Sequence, residues 1–337
     1  MDRKEFQRRL NENQIPSVLL FEGEEAYLKQ EALESLRKKL LPAGLEELNE
    51  SRLENPEPDE LIAAAETLPM MADRRMVIVR DYPPLVGRSE VDSRVTEYLP
   101  KVPESTVLIF YCTRKPDGRK SLYTGVKRLG GIVTFAPMRD RELTSFVVNA
   151  FRDQGKECDE RTADFLIFTC GNDTAQLLSE VGKIASRRAD ENSIRAEDIR
   201  ELATPSVEST VFSMVDAVVA GQEQKAFSLL RKQLLSGENR VGMLAMLLRE
   251  YRLLQQVKIM QYEKQSLQQI REALGVSPYT ASQYIRQANS CTAGHVKRGV
   301  QLCLETEYAI KSGQMNQEGA LEAVMLKLMT DRKAQRQ

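Results

Sequence analysis

The sequence predicts a doubly wound α/β domain followed by two all-α units, on two observations. From residue 17 to about 136, short β-type runs alternate five times with helical patterns, and after Pro137 the β-type runs give way to amphipathic helical segments that repeatedly stop at glycine. In order, SVLLFEG precedes EAYLKQEALESLRKKLL, EELNESRL precedes DELIAAAET, RRMVIVRD precedes EVDSRVTEYL, STVLIFYC precedes RKSLYTGVKRL, and GIVTFA closes the series. Strand and helix in turn implies parallel strands with helices on both faces, because a parallel pair needs a crossover long enough to hold a helix.

Beyond Pro137, RELTSFVVNAFRDQG, DERTADFLIFTCG, DTAQLLSEVGKIASRR and RAEDIRELA read as four helices of a small unit, with Asp159 and Asp173 as N-caps. Thr204-Pro205-Ser206 ends it. Seven further helical segments, from STVFSMVDAVVAG to QEGALEAVMLKLMTDR, form a bundle in which Gly221, Gly237, Gly275 and Gly313 suit helix C-termini, and Met243, Leu247 and Leu254 read as core. The expected domains are 1–139, 140–205 and 206–337.

Composition bounds the function. The 48 basic and 49 acidic side chains balance, in the first 139 residues as in the rest, so no broad basic surface for nucleic acid is announced. One histidine and five dispersed cysteines, Cys112, Cys158, Cys170, Cys291 and Cys303, leave little material for a zinc site and read as reduced thiols. No run reaches ~18 uninterrupted apolar residues and MDRKEFQRRLNENQ lacks the apolar core of a secretory signal, so a cytoplasmic protein without a membrane span is expected.

Two stretches carry functional information. FEGEEAYLKQ aligns with the phosphate-loop pattern G-x-x-x-x-G-K-[ST] at Gly23 and Lys29, but Leu28 stands where the second glycine belongs and Gln30 where the magnesium-holding hydroxyl belongs. A side chain at the glycine position obstructs the turn that aims backbone N–H groups at phosphates, and Glu24 and Glu25 add like charges there. MVIVRDYPP supplies Asp81 at the end of the third strand but follows it with Tyr82 and two prolines, so the water-orienting carboxylate is missing. This reads as the remnant of a nucleotide site, in which Gly23 turns strand into helix and Lys29 stands on a solvated face; a weak site is the alternative.

The second stretch is AAAETLPMMADRR. Pro69 disfavours helical dihedrals at Leu68, so the helix begun near Asp59 ends about there, and the next strand starts at Arg75 or Met76. Leu68, Pro69, Met70 and Met71 therefore fall in a connection, where large apolar side chains need an explanation. Two arrangements are open: the side chains fold back onto the core edge, or they project as a plug for a pocket on another protein, a task suited to methionine. The basic cluster RKPDGRKSLYTGVKRL, with Arg119, Lys120, Lys127 and Arg128, reads first as a solvated helix face and second as a contact to DNA phosphates.

An α/β domain, a small helical unit and a helical bundle in this order resemble the AAA+ clamp-loader subunits. LLFEGEEAYLKQEAL, the LGVSPY segment at 274–279 and the IKSG segment at 310–313 resemble the delta subunits of bacterial DNA polymerase III, a likeness that runs the length of the chain. The resemblance implies an AAA+-like first domain with a degenerate phosphate loop, a lid domain and a C-terminal collar domain, with no cofactor and no catalysis of its own inside the polymerase holoenzyme. It implies that an apolar pair in the first domain enters a pocket on the beta sliding clamp, with Met70 and Met71 at the matching positions, where the family often carries a Leu-Phe type of pair, and Leu68 as a third contact. It further implies tau/gamma ATPase subunits and a delta prime subunit as collar partners, and primed DNA inside the assembled complex. The alternative is a weakly active AAA+ NTPase of DNA metabolism with an atypical phosphate loop.

Overall fold

The structure, a computed structural model, describes residues 1–334 and resolves into two compact units, Met1–Pro137 and the chain from Met138 onward. The first unit runs α1 (Arg3–Asn11), β1 (Val18–Glu22), α2 (Ala26–Leu40), α3 (Glu46–Asn49), β2 (Glu50–Glu54), α4 (Pro58–Glu66), β3 (Arg75–Arg80), α5 (Pro83–Val86), α6 (Ser93–Tyr98), β4 (Thr106–Tyr111), α7 (Ser121–Arg128) and β5 (Ile132–Thr134). Its five strands are parallel in the order β2-β3-β4-β1-β5, which puts β1 and β4 side by side at the centre, with Val18 opposite Leu108 and Phe21 opposite Tyr111.

Burial explains why these runs are strands. All six residues of β4 and the first five of β3 are buried, as strands covered on both faces must be. Side chains alternate across the sheet: Val18, Leu20, Val77, Val79, Leu108 and Phe110 face a cluster completed by Leu61 and Ala65 of α4, Leu85 of α5 and Leu122 and Val126 of α7. On the opposite face Phe21 meets Phe6 of α1 and Phe135 edge-on, at centroid distances of 5.4 and 5.1 Å. All five expected strands are present, with one correction. In EELNESRL the residues through Asn49 form the short helix α3 and only Glu50–Glu54 is strand, an edge strand left half exposed.

The second unit begins with α8 (Asp140–Asp153), α9 (Glu160–Cys170), α10 (Thr174–Arg187) and α11 (Ala196–Leu202). Asp159 and Asp173 cap α9 and α10, accepting from the backbone N–H of Thr162 and Gln176. The expectation that β structure ends at Pro137 needs correction: β6 (Glu157–Cys158) pairs in parallel with β7 (Ser193–Ile194). Two-residue strands have no periodicity to read, and only the folded helices bring them together.

The bundle helices follow as α12 (Val207–Ala220), α13 (Glu223–Leu235), α14 (Arg240–Tyr262), α15 (Leu267–Leu274), α16 (Pro278–Asn289), α17 (Ala293–Lys311) and α18 (Ala320–Ala334), matching the seven segments read from the sequence. Gly221 and Gly275 cap α12 and α15 in the left-handed conformation that glycine adopts at least cost. Met243, Leu247 and Leu254 of α14 are core, packed with residues of the other bundle helices. Phe168 of α9 stands edge-on to Phe212 of α12, with centroids 5.1 Å apart.

The bundle also buries a carboxyl. Glu250 is 6% exposed; Tyr284 Oη donates to its Oε2 at 2.9 Å, while Oε1 has no hydrogen-bond partner. Burial raises its pKa from 4.5 to about 7, with Asp216 adding to the rise and Arg249 and the tyrosine bond opposing it. Between those values the folded chain holds a proton that the unfolded chain has lost, so this group makes stability fall as pH rises through that window. Glu250→Gln, which keeps an acceptor for Tyr284, is expected to flatten the dependence and to be more stable at pH 8 by about 3 kcal/mol at most. Urea unfolding of both proteins at pH 5 and pH 8 checks this; parallel pH dependences would count against it.

Candidate functional site

Two features of the first unit depart from what a plain α/β core requires. The first is the connection between α4 and β3. Helix α4 stops where Thr67 takes extended dihedrals, and its end is fixed by Thr106 of β4, whose hydroxyl donates to the Ala65 carbonyl at 2.8 Å. The chain then crosses to Arg75 by a loop whose large side chains point outward: Leu68 is 78% exposed, Met70 56% and Met71 83%, with Pro69 half-buried. Of the two arrangements the sequence left open, folding back onto the core edge is not the one adopted.

The loop is held from beneath by a residue that sequence reasoning missed. Asn49, at the end of α3, is fully buried, and its amide makes a two-point bond to Met70: Oδ1 accepts from the Met70 N–H at 2.7 Å and Nδ2 donates to the Met70 carbonyl at 2.9 Å. Nδ2 also donates to the Leu45 carbonyl at 3.0 Å, which fixes the amide's orientation. Arg75, buried at the far end of the loop, reaches Ser51 Oγ at 2.7 Å and the Leu68 carbonyl at a long 3.5 Å. Met71 has φ of +53°, a left-handed conformation that costs a non-glycine residue ~1–2 kcal/mol and persists where neighbours impose it. Leu48, next to Asn49 in the chain, is 54% exposed. The available signal was asparagine in the middle of an apparent strand, where it is disfavoured.

The second feature lies at the carboxyl ends of β1 and β4, the crevice where open α/β sheets place ligands. Gly23 leaves β1 with φ of +112°, and a Cβ there would lie 2.2 Å from the Phe135 carbonyl oxygen, so only glycine fits the turn. Leu28 is buried in the core, and Gln30 is exposed, donating to Glu34. Lys29 corrects the sequence reading. It is 2% exposed rather than solvated, and its Nζ donates to the Gly23 carbonyl and to the Cys112 carbonyl, both at 2.7 Å, 5.6 Å from the centre of the Tyr111 ring. Burial lowers its pKa, with Cys112 and Asp81 pulling the other way. A lysine four residues into the first helix after β1 reaches the end of β4 only because those two strands are neighbours.

Asp81 is occupied as well. It accepts from the Thr113 N–H at 2.7 Å and the Thr113 hydroxyl at 2.5 Å, bonds that hold its pKa below the ordinary value although burial acts against them. Tyr82, next to it, is buried in the core. In the basic cluster Arg119 pairs with Asp117 while its side chain stays 91% exposed, Lys120 donates to the Ser89 carbonyl, and Lys127 and Arg128 are exposed in the last turn of α7.

The family model described as DNA polymerase III, delta subunit, matches residues 19–135, which hold both features, and that for the delta subunit's C-terminal domain matches residues 208–328, the bundle. The chain belongs to the DNA polymerase III delta subunit family. A similar delta subunit is that of Bacillus subtilis (strain 168), 23% identical over 329 residues covering 95% of each chain. Among solved structures, the fold is similar to the DNA clamp loader delta protein (YqeN) of Bacillus subtilis, with a TM-score of 0.57 and 22% identity over 97% of this chain and 99% of that one. As in the sequence reading, this delta-family chain combines a five-stranded parallel α/β unit with a C-terminal helical bundle. No helix among its described residues is long and apolar enough to cross a membrane.

Proposed function

We propose that this delta-family chain is the clamp-loader subunit that grips the beta sliding clamp and opens its ring for loading onto primed DNA. The observation that carries the reading is the Leu68–Met71 loop: three large apolar side chains project into solvent from a loop held at its base by hydrogen bonds to the buried Asn49 amide. Exposed apolar anchors on a rigid base are what a pocket on another protein selects, because little conformational freedom is lost on docking. If the loop binds an open ring more tightly than a closed one, it shifts the ring toward opening by that difference in affinity.

The chain does this without binding or hydrolysing ATP. A phosphate loop works by turning backbone N–H groups and a lysine ammonium toward the phosphates. Here the ammonium of Lys29 is spent on two backbone carbonyls, and the side chains at 28 and 30 are Leu and Gln. ATP acts in neighbouring tau/gamma subunits, which with delta prime meet the 206–337 collar domain, while 1–139 holds the clamp and 140–205 forms the lid. In the cytoplasm, the assembled complex brings primed DNA near α7, where Arg119, Lys120, Lys127 and Arg128 are the candidate phosphate contacts and Arg119, Lys127 and Arg128 are exposed.

The test is binding of the purified chain to the sliding clamp of the same cell, without nucleotide, alongside a titration with ATP. Clamp binding with no saturable ATP binding is the expected result. ATP binding that is lost on removal of the Lys29 ammonium would instead favour a weak NTPase.

A further inference from the structure

The Asn49 amide and the Met70 peptide form a pairing of the kind two strands make, but through a side chain. One oxygen accepts, one nitrogen donates, and the donor's second hydrogen is anchored on Leu45. A fully buried side-chain amide that spans 21 residues to bond the backbone of one exposed methionine does little for the sheet: β2 pairs with β3 from Glu50 onward, and Asn49 is outside that ladder. What it does is hold the loop's backbone between Pro69 and Met71 at a set height above the sheet edge, with Met71 in its left-handed conformation.

We propose that Asn49 is a positioning residue for the docking loop, a splint that presents Leu68, Met70 and Met71 in their bound arrangement before the partner arrives, with Leu48 beside it as a further apolar contact. The inference rests on the reading of the loop as the clamp-binding element. Its physical basis is preorganisation: a loop of this length free to move gives up several backbone and side-chain torsions on docking, and a loop already fixed does not. The splint therefore acts on affinity through the free state and touches no partner atom itself.

The experiment uses the full chain and has two arms. In the free protein, amide hydrogen exchange is followed at Met70 and Met71 in wild type, Asn49→Ala and Asn49→Asp. The Met70 N–H is expected to be protected in wild type and to exchange at least tenfold faster in Asn49→Ala, while amides of β3 and β4 keep their protection. Asn49→Asp retains the acceptor for Met70 N–H but not the donor to its carbonyl, and should lie between. An unprotected Met70 in wild type would overturn the splint whatever the partner is.

In the second arm, clamp affinity is measured for wild type, Asn49→Ala, Met70→Ala/Met71→Ala and the triple variant. Asn49→Ala should weaken binding about five- to tenfold in wild type and by a clearly smaller factor once the methionines are gone, because only Leu68 is then left to present. A simple loss of fold would instead reduce binding by the same factor in both backgrounds, and that additive result overturns the proposal. If wild type protects Met70 but does not bind the clamp, the docking partner has been misassigned and the splint stands on the exchange data.

Discussion

Replacing Met70 and Met71 together with alanine is expected to lower clamp affinity by about 2 kcal/mol or more, roughly 30-fold, while leaving the fold intact. Both side chains are largely exposed, so their truncation removes little buried area from the folded chain, and surface changes of this kind ordinarily move stability by no more than about 0.5 kcal/mol. The separation of the two effects is the point of the experiment. Had the methionines folded back onto the core edge, the same change would cost about 2–5 kcal/mol of stability per side chain. Thermal unfolding and clamp titration on one preparation therefore give a clear outcome: unchanged melting with lost binding supports the docking role, and unchanged binding in a folded variant sinks it.

Lys29→Ala should do the reverse. Its ammonium closes the ends of β1 and β4 by bonds to the Gly23 and Cys112 carbonyls, and hydrogen bonds to a charged group contribute about 1.5–3 kcal/mol each. Relief from burying a cation offsets part of that loss, leaving a net destabilisation of about 2–4 kcal/mol, read as a drop of several degrees in melting temperature. In a working phosphate loop the same substitution would remove nucleotide binding and leave the fold nearly untouched. A Lys29→Ala protein that melts like wild type would show that water replaces the ammonium at the two carbonyls, and the lysine would lose its role as a pin.

The two substitutions probe adjoining questions about one sheet. The pin sits in the crevice between β1 and β4, where open α/β sheets hold ligands, and the Leu68–Met71 loop precedes β3 at the opposite ends of the strands. With the Lys29 ammonium bonded to two of the chain's own carbonyls, the proposed function assigns this subunit to holding the clamp and leaves nucleotide to its neighbours.

By itself the sequence determined the strands, most of the helices and their order, because apolar runs of five or six residues and amphipathic patterns of ten or more leave little choice of local structure. It also determined that the phosphate loop lacks its second glycine and hydroxyl, since those are properties of Leu28 and Gln30 alone. The family likeness could likewise be read from the segments that carry it. Short elements escaped: α3 within EELNESRL, and the two-residue strands β6 and β7, have too few residues for any period to show. Only the tertiary structure decided that Lys29 is buried, that Met70 and Met71 project, and that Asn49 bonds the Met70 backbone. Those outcomes depend on which backbone atoms lie within 3 Å across separations of 83 and 21 residues, and it is the parallel strand order, with its long crossovers, that brings such distant groups together.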